Sequence, residues 1–127
     1  MSKLAQSYHD LEVYTAAFHL QQHIFEISKK WPIEERFSLT DQVRRSSRSI
    51  GANIAEAWAK RRYPAHFLSK LTDSDGELHE TCHWLASAFA CGYLTQTEHS
   101  DLISESLCVG RQLGSMIQRY ESFCTPH

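Results

Sequence analysis

Glycine and proline are both scarce in this chain, which has five glycines and three prolines among 127 residues. The glycines are scattered, so the sequence lacks the glycine-rich loop that cradles the phosphates of many cofactors. Prolines stand only at positions 32, 64 and 126, which leaves long intervals without a helix-breaking residue. We therefore expect no cofactor, and we expect a chain built from long, uninterrupted elements.

Long apolar runs are missing as well. No segment approaches the roughly 20 apolar residues that span a bilayer, and the N-terminal sequence has no apolar region typical of a secretory signal. The four cysteines, at positions 82, 91, 108 and 124, form no CxxC pair, so neither a disulfide framework nor a cysteine zinc site is indicated. These absences predict a cytoplasmic protein with no membrane contact.

Apolar residues recur instead at helical spacing in four successive stretches. The expected helices cover about residues 10–31, 39–62, 64–91 and 96–123, within a single domain over residues 1–127. Because the connections between them are short, these helices predict an all-α fold, an up-down-up-down antiparallel four-helix bundle. The stripes expected to face the core include Phe18 and Phe25 in the first helix, Phe89 in the third and Leu107 in the fourth.

Local signals mark where several of these helices begin and end. Pro32 should end the first helix, and Pro64 suits the first turn of the third. Gly92 follows the third helix at the position where a C-terminal glycine is common. Thr95 and Glu98 have the spacing of a capping box, which predicts the start of the fourth helix.

Residues 79–83 read HETCH and match the H-E-x-x-H signature of zinc-dependent hydrolases. His79 and His83 would lie one turn apart and could both bind zinc, with Glu80 as the general base and Glu105 as a further ligand. The apolar stripe of this helix, however, turns both histidines away from the core, and no further zinc-protease signature follows. We therefore predict no metal site and no enzyme activity, and keep zinc-dependent hydrolysis as a remote alternative.

Basic side chains are concentrated in one short stretch. Residues 42–62 carry six of the thirteen lysines and arginines beside a single acid, and the six are Arg44, Arg45, Arg48, Lys60, Arg61 and Arg62. Residues 36–70 have eight basic and two acidic side chains, whereas residues 71–127 have two basic and eight acidic ones. Such a basic helix face is either solvated and salt-bridged, or it contacts nucleic acid or another subunit.

Asn53 and Glu56 lie three residues apart in the same helix and share a face with Arg45, Ser49 and Lys60. Glu56 and Lys60 also have the spacing of a favourable ion pair within one helix. A polar stripe at this place is typical of subunit contacts, of a buried hydrogen-bond network or of an exposed helix face.

Two longer stretches resemble a known family. Residues 39–62, LTDQVRRSSRSIGANIAEAWAKRR, and residues 67–95, FLSKLTDSDGELHETCHWLASAFACGYLT, are similar to the 23S rRNA-intervening-sequence family of four-helix-bundle proteins. The resemblance covers nearly the whole chain, and its most specific part runs from Ser49 through Asn53 to Glu56. Ala57 departs from the pattern, because the family usually has glycine there.

The resemblance implies a four-helix bundle with no established enzymatic activity. Members of the family are related to the accessory variability determinant of diversity-generating retroelements, a strongly basic ring of five bundles that engages nucleic acid. This chain has a net charge of −2, so the ring is the property we carry over. We therefore expect a homopentameric scaffold or adaptor, with a nucleic-acid-binding accessory protein as the alternative, and a basic face that meets an acidic face of the next subunit.

Overall fold

The computed structural model describes residues 5–125, and the ends of the expected domain, residues 1–4 and 126–127, lie outside it. The described part contains no β-strand and is dominated by helices, so the all-α fold is confirmed. Four long helices pack together, namely α1 (Glu12–Ser28), α2 (Asp41–Ala59), α3 (Pro64–Ala90) and α4 (Gln96–Gln118). A short helix, α5 (Tyr120–Phe123), follows α4. No helix within residues 5–125 is long and apolar enough to cross a membrane.

The connections differ from the expected helix ends. Helix α1 ends at Ser28, and the Trp31 amide turns back to donate to the Ser28 carbonyl over 3.1 Å. A 3₁₀ turn (Ile33–Glu35) and a π-helical turn (Arg36–Thr40) then lead directly into α2. The residue before a proline avoids helical backbone angles, and this restriction on Trp31 separates α1 from these turns.

Three of the predicted helix boundaries are confirmed. The Glu98 amide donates to Thr95 Oγ1 over 3.1 Å, and the Glu98 carboxylate accepts from the Thr95 amide over 2.9 Å, which completes the capping box of α4. Pro64 is the first residue of α3. Gly92 has a φ of +81°, and the amides of Gly92 and Tyr93 donate to the carbonyls of Phe89 and Ala88. This pattern is a Schellman motif, which favours glycine because its φ is positive.

The core is formed where α1 contacts α2 and α4, and α3 contacts the same two helices. Its largest fully buried side chains are Phe67, Leu20, Ile24, Ile50, Ile54, Leu71, Leu85, Leu102 and Leu113. The α1–α2 and α3–α4 connections meet at one end of the bundle, where the Tyr93 hydroxyl donates to Glu35 over 2.8 Å. The Glu35 carboxylate and partial desolvation raise the Tyr93 pKa to about 12.

Three apolar side chains expected in the core are exposed. Phe18 is 46% exposed, Phe89 36% and Leu107 58%. An apolar stripe is about 100° wide, so residues on its edge lie only about 50° from its centre, and spacing alone does not separate the core from its rim. Small polar side chains occupy interior positions instead, among them Ser46, Ser74, Thr81 and Ser106.

Candidate functional site

The basic side chains of the first half of α2 gather around an aromatic ring of α1. The guanidinium carbons of Arg44 and Arg48 lie 4.7 and 5.6 Å from the centre of the Phe25 ring, and Lys29 Nζ lies 4.8 Å from it. Arg44 also donates from Nε to Ser28 Oγ over 2.9 Å, which fixes its direction. We call Phe25, Lys29, Arg44 and Arg48 the Phe25 cluster. It presents three cations on one side of the bundle.

The charges of the Phe25 cluster are only partly compensated. Lys29 lies 3.2 Å from the Glu26 carboxylate, whereas no ion pair within residues 5–125 engages Arg44 or Arg48. Asp41 lines the same surface depression as the two arginines. Guanidinium groups that are held in place without a carboxylate partner suit phosphate or carboxylate groups of another molecule.

Arg45 has a different role from its two neighbours. Its guanidinium contacts two acids of α3, Glu77 at 3.0 Å and Glu80, which also accepts from the Trp84 indole over 3.2 Å. The expected meeting of this basic face with acids of α3 therefore occurs within one chain at this position. Arg45 ties α2 to α3 and is already paired.

Asn53 and Glu56 also contact their own chain. Asn53 donates to the Ser49 carbonyl over 2.9 Å, and the Glu56 carboxylate lies 2.8 Å from Lys70 Nζ on α3. The hydrogen bond and charge of Lys70 lower the Glu56 pKa, with a smaller Coulomb contribution from Lys60. The expected Glu56–Lys60 pair is thus replaced by one across the α2–α3 interface, because α3 brings a closer cation.

The remaining basic residues lie at the other end of α2. The Arg61 guanidinium lies 3.6 Å from the centre of the Trp58 ring, and Arg61 Nε donates to the Trp58 carbonyl over 2.9 Å. Arg62 is exposed and Lys60 is half-buried. Residues 48 and 61 are about 20 Å apart along a helix axis. Five of the six basic side chains named from the sequence therefore lie in two separate groups, and the sixth, Arg45, pairs with acids of α3.

The HETCH segment does not assemble a metal site. His79 and His83 are both exposed, and the His79 ring contacts the Asp75 carbonyl over 2.8 Å. Glu80 is held by Arg45. Across residues 5–125, no three histidine, cysteine, aspartate or glutamate side chains are arranged to hold a metal ion. The geometry gives no support to zinc-dependent hydrolysis at this segment.

Glu105, the further ligand considered for zinc, faces a different helix. Its Oε2 lies 2.5 Å from His23 Nδ1 and its Oε1 lies 3.6 Å from His19 Nε2, both on α1. Glu105 is therefore engaged by α1, and it forms no metal-holding group with the histidines of the HETCH segment within residues 5–125. Glu105 instead joins α4 to α1.

The sequence pattern did not identify Phe25 and Lys29 as members of a surface site. The apolar stripe assigned Phe25 to the core, but the side chain is half-buried and carries three cations around its ring. The available signal was the spacing of Phe25 and Lys29, four residues apart on one helix face. The approach of Arg44 and Arg48 from α2 depends on how the two helices pack, which the spacing does not reveal.

Comparison with known proteins gives a family for this fold and surface. The family described as 23S rRNA-intervening sequence protein matches residues 9–115. A similar solved structure is a protein with unknown function from the S23 ribosomal protein family of Bacteroides thetaiotaomicron VPI-5482, with 29% identity and a TM-score of 0.76. The match covers 84% of this chain and 95% of that one. No match was found among curated proteins. The chain belongs to the 23S rRNA-intervening sequence protein family.

Proposed function

We propose that the protein is a non-enzymatic scaffold or adaptor that assembles into a ring of five copies. The observation that carries this proposal is an apolar groove between α3 and α4 with Leu107 exposed at its edge. The Phe25 cluster lies on α1 and α2. Two unlike surfaces on one chain suit a head-to-tail interface. Such an interface closes into a ring when the rotation from one copy to the next is a whole fraction of a full turn.

The groove has the composition of a protein contact surface. Leu78, Cys82, Ile103 and Leu107 line it, with an associated volume of about 320 Å³. Leu107 is 58% exposed although it stands in the middle of α4. An exposed leucine beside an apolar groove favours burial against another protein, because that removes apolar surface from water.

Charge supports the same pairing of surfaces. Asp75 lines the groove together with Arg111, and Asp73 and Asp101 are exposed on α3 and α4. Arg44 and Arg48 lack a carboxylate partner within residues 5–125. Oppositely charged surfaces that meet across an interface select the partner and fix its orientation. The neighbouring copy therefore supplies the basic side of the contact.

The first test is the molar mass of the full-length protein, measured by light scattering after gel filtration. We expect about five times the chain mass of 14.6 kDa. Leu107→Asp should lower the mass, because a carboxylate in the interface would be desolvated without a partner. The same substitution at Ile33, which is 84% exposed on the α1–α2 connection, is the matched control and should leave the mass unchanged.

Circular dichroism should show full helicity for both variants, since both side chains are largely exposed. A monomeric wild-type protein would refute the proposal. A Leu107→Asp variant that keeps the wild-type mass would exclude the groove from the interface.

A second candidate function is nucleic-acid binding. The observation that favours it is the unpaired state of Arg44 and Arg48 beside Lys29, because phosphates bind such held guanidinium groups. Arg61 and Arg62 provide a second basic group about 20 Å away along α2. This spacing matches several nucleotides of a duplex backbone rather than one phosphate.

Gel-shift titrations of duplex DNA at several salt concentrations test this second candidate. We expect the double variant Arg44→Gln, Arg48→Gln to bind more weakly and to lower the slope of log affinity against log salt by about 2. Arg45→Gln is the control and should change neither value much, because Arg45 is already engaged by Glu77 and Glu80. No retardation at low salt, or equal effects of the variants, would rule it out.

We also infer that the four helices run alternately up and down. Between α2 and α3, Ser46 meets Thr81 and Glu56 meets Lys70, so residue numbers rise along one helix as they fall along the other. The same reversal occurs in the contacts Tyr14–Gly51, Ser28–Arg44, His23–Glu105, Lys30–Glu98, Leu78–Gly110 and Phe89–His99. This arrangement places the connections at the ends of the bundle.

We propose that the scaffold acts in the cytoplasm. The four cysteines are all free, and Cys91 is exposed. Disulfides form in oxidising compartments, so free cysteines support a reducing one.

A further inference from the structure

A cleft lies at the end of the bundle where α1 begins and α2 and α4 end. Its volume is about 780 Å³, within the range of about 300–1,000 Å³ that small-molecule sites occupy. Three arginines line it, Arg61 just beyond α2, Arg111 on α4 and Arg119 just beyond α4. We propose that this cleft binds a small organic anion with a flat body, of the mononucleotide type. The proposal is independent of the Phe25 cluster, whereas Arg111 also lines the groove between α3 and α4.

The three arginines converge on the cleft from two helices. Arg111 and Arg119 are eight residues apart, which places them about two turns apart on one face of α4. No ion pair within residues 5–125 engages Arg61, Arg111 or Arg119. Planar guanidinium groups bind phosphate with paired hydrogen bonds, so three of them in one cleft suit an anionic group.

The dipoles of the helix ends do not by themselves explain the positions of the three arginines. Cations are favoured in the last turn of a helix, which explains Arg61 after α2 and Arg119 after α4. Arg111 stands seven residues before Gln118, the last residue of α4, where the dipole effect has faded. Its presence in the cleft is therefore better explained by a bound anion.

The cleft also has an apolar wall. Trp58, Met116 and Phe123 line it, and the Phe123 ring stacks on the buried Phe67 ring at 6.2 Å. Arg61 covers the Trp58 ring at 3.6 Å, which creates a flat surface of guanidinium and indole. A planar base would stack on such a surface, since aromatic faces and guanidinium planes both accept stacking.

Two acids and one amide also line the cleft. Asp10 accepts from the amides of Gln6 and Ser7 over 2.9 and 3.3 Å, so its carboxylate is directed to the backbone. Glu12 is exposed in the first turn of α1. Gln112 Oε1 is buried without a hydrogen-bond donor within residues 5–125.

The experiment is calorimetric titration of the full-length protein with AMP, GMP, CMP and UMP. At least one should bind, and the matching nucleoside and inorganic phosphate should each bind at least about tenfold more weakly, because each has one half of the ligand. Arg111→Gln and Arg119→Gln should each weaken the nucleotide at least about tenfold. Arg48→Gln, in the Phe25 cluster, is the matched control and should leave the affinity unchanged.

Thermal melts should show that both variants fold, since Arg111 and Arg119 are exposed. The absence of binding by all four nucleotides at millimolar concentration would overturn the proposal. It would also fall if Arg48→Gln weakened binding as much as the cleft variants, because the nucleotide would then bind basic surface without preference.

Discussion

Ser46 Oγ and Thr81 Oγ1 lie 2.8 Å apart in the interior between α2 and α3, and both residues are fully buried. Each hydroxyl also reaches a carbonyl of its own helix, Ser46 that of Val43 over 3.3 Å and Thr81 that of Glu77 over 2.9 Å, so either hydroxyl can be the donor in the pair. Ser74 on α3 extends this polar contact by donating to the Ile50 carbonyl over 2.8 Å. Small hydroxyl side chains thus join the two helices where larger apolar ones would hold them apart.

A double-mutant cycle measures the Ser46–Thr81 hydrogen bond. Ser46→Ala and Thr81→Val should each lower the free energy of unfolding by about 1 kcal/mol, since each removes a buried hydrogen bond. The double variant should lose about 0.5 kcal/mol less than the sum, because the second substitution finds the bond already broken. Urea unfolding of the four proteins gives the values. Strict additivity would show that the two hydroxyls do not interact.

The helix ends were largely predictable because their signals are local. The capping box of Thr95, the first-turn position of Pro64 and the left-handed Gly92 each depend on a few neighbouring residues. Val43, Ile50 and Ile54 recur at helical spacing along α2, and all three are fully buried.

The partners of the charged residues could not be predicted in the same way. Arg45 and Arg48 are three residues apart on one helix, yet Arg45 meets two carboxylates and Arg48 meets the Phe25 ring. Which neighbour each arginine reaches depends on the rotation of α2 between α1 and α3. The apolar pattern of α2 does not define this rotation closely enough to assign the partners. The paired Arg45 and the unpaired Arg48 therefore look alike in the sequence.

Two glycines should respond to alanine in opposite directions. Gly76 lies inside α3, and a Cβ there would meet no atom within 4 Å, so Gly76→Ala should stabilise the protein by about 0.5–1 kcal/mol. Gly92 has a φ of +81°, so Gly92→Ala should destabilise it by about 1–2 kcal/mol. Denaturant midpoints at constant slope measure both. A loss of stability for Gly76→Ala would mean that this face of α3 is covered.

The start of α4 should make stability depend on pH below neutrality. The Lys30 hydrogen bond, followed by the Thr95 amide, lowers the Glu98 pKa in the folded protein. This contribution is therefore present above the unfolded pKa of about 4.3 and is lost as pH falls through the lower folded value. Glu98→Gln should melt below the wild type at pH 7, and the difference should shrink as the pH falls through the lowered folded pKa. A difference that stays constant with pH would exclude the ionised carboxylate as its source.

Arg45 pairs with two carboxylates of its own chain, whereas Arg48 has no carboxylate partner within residues 5–125, so substitutions of the two arginines should affect stability differently. Arg45→Gln should lower the free energy of unfolding by up to about 1 kcal/mol at low salt, since its side chain is 48% exposed and its two carboxylates are partly screened by water. Most of this loss should vanish in 1 M NaCl, where the screening length falls to about 3 Å. Arg48→Gln, which removes the same charge without a carboxylate partner, should cost little in either salt. Equal losses for the two variants would mean that Glu77 and Glu80 do not hold Arg45 in solution, and Arg45 would then be available to contact nucleic acid or a neighbouring subunit.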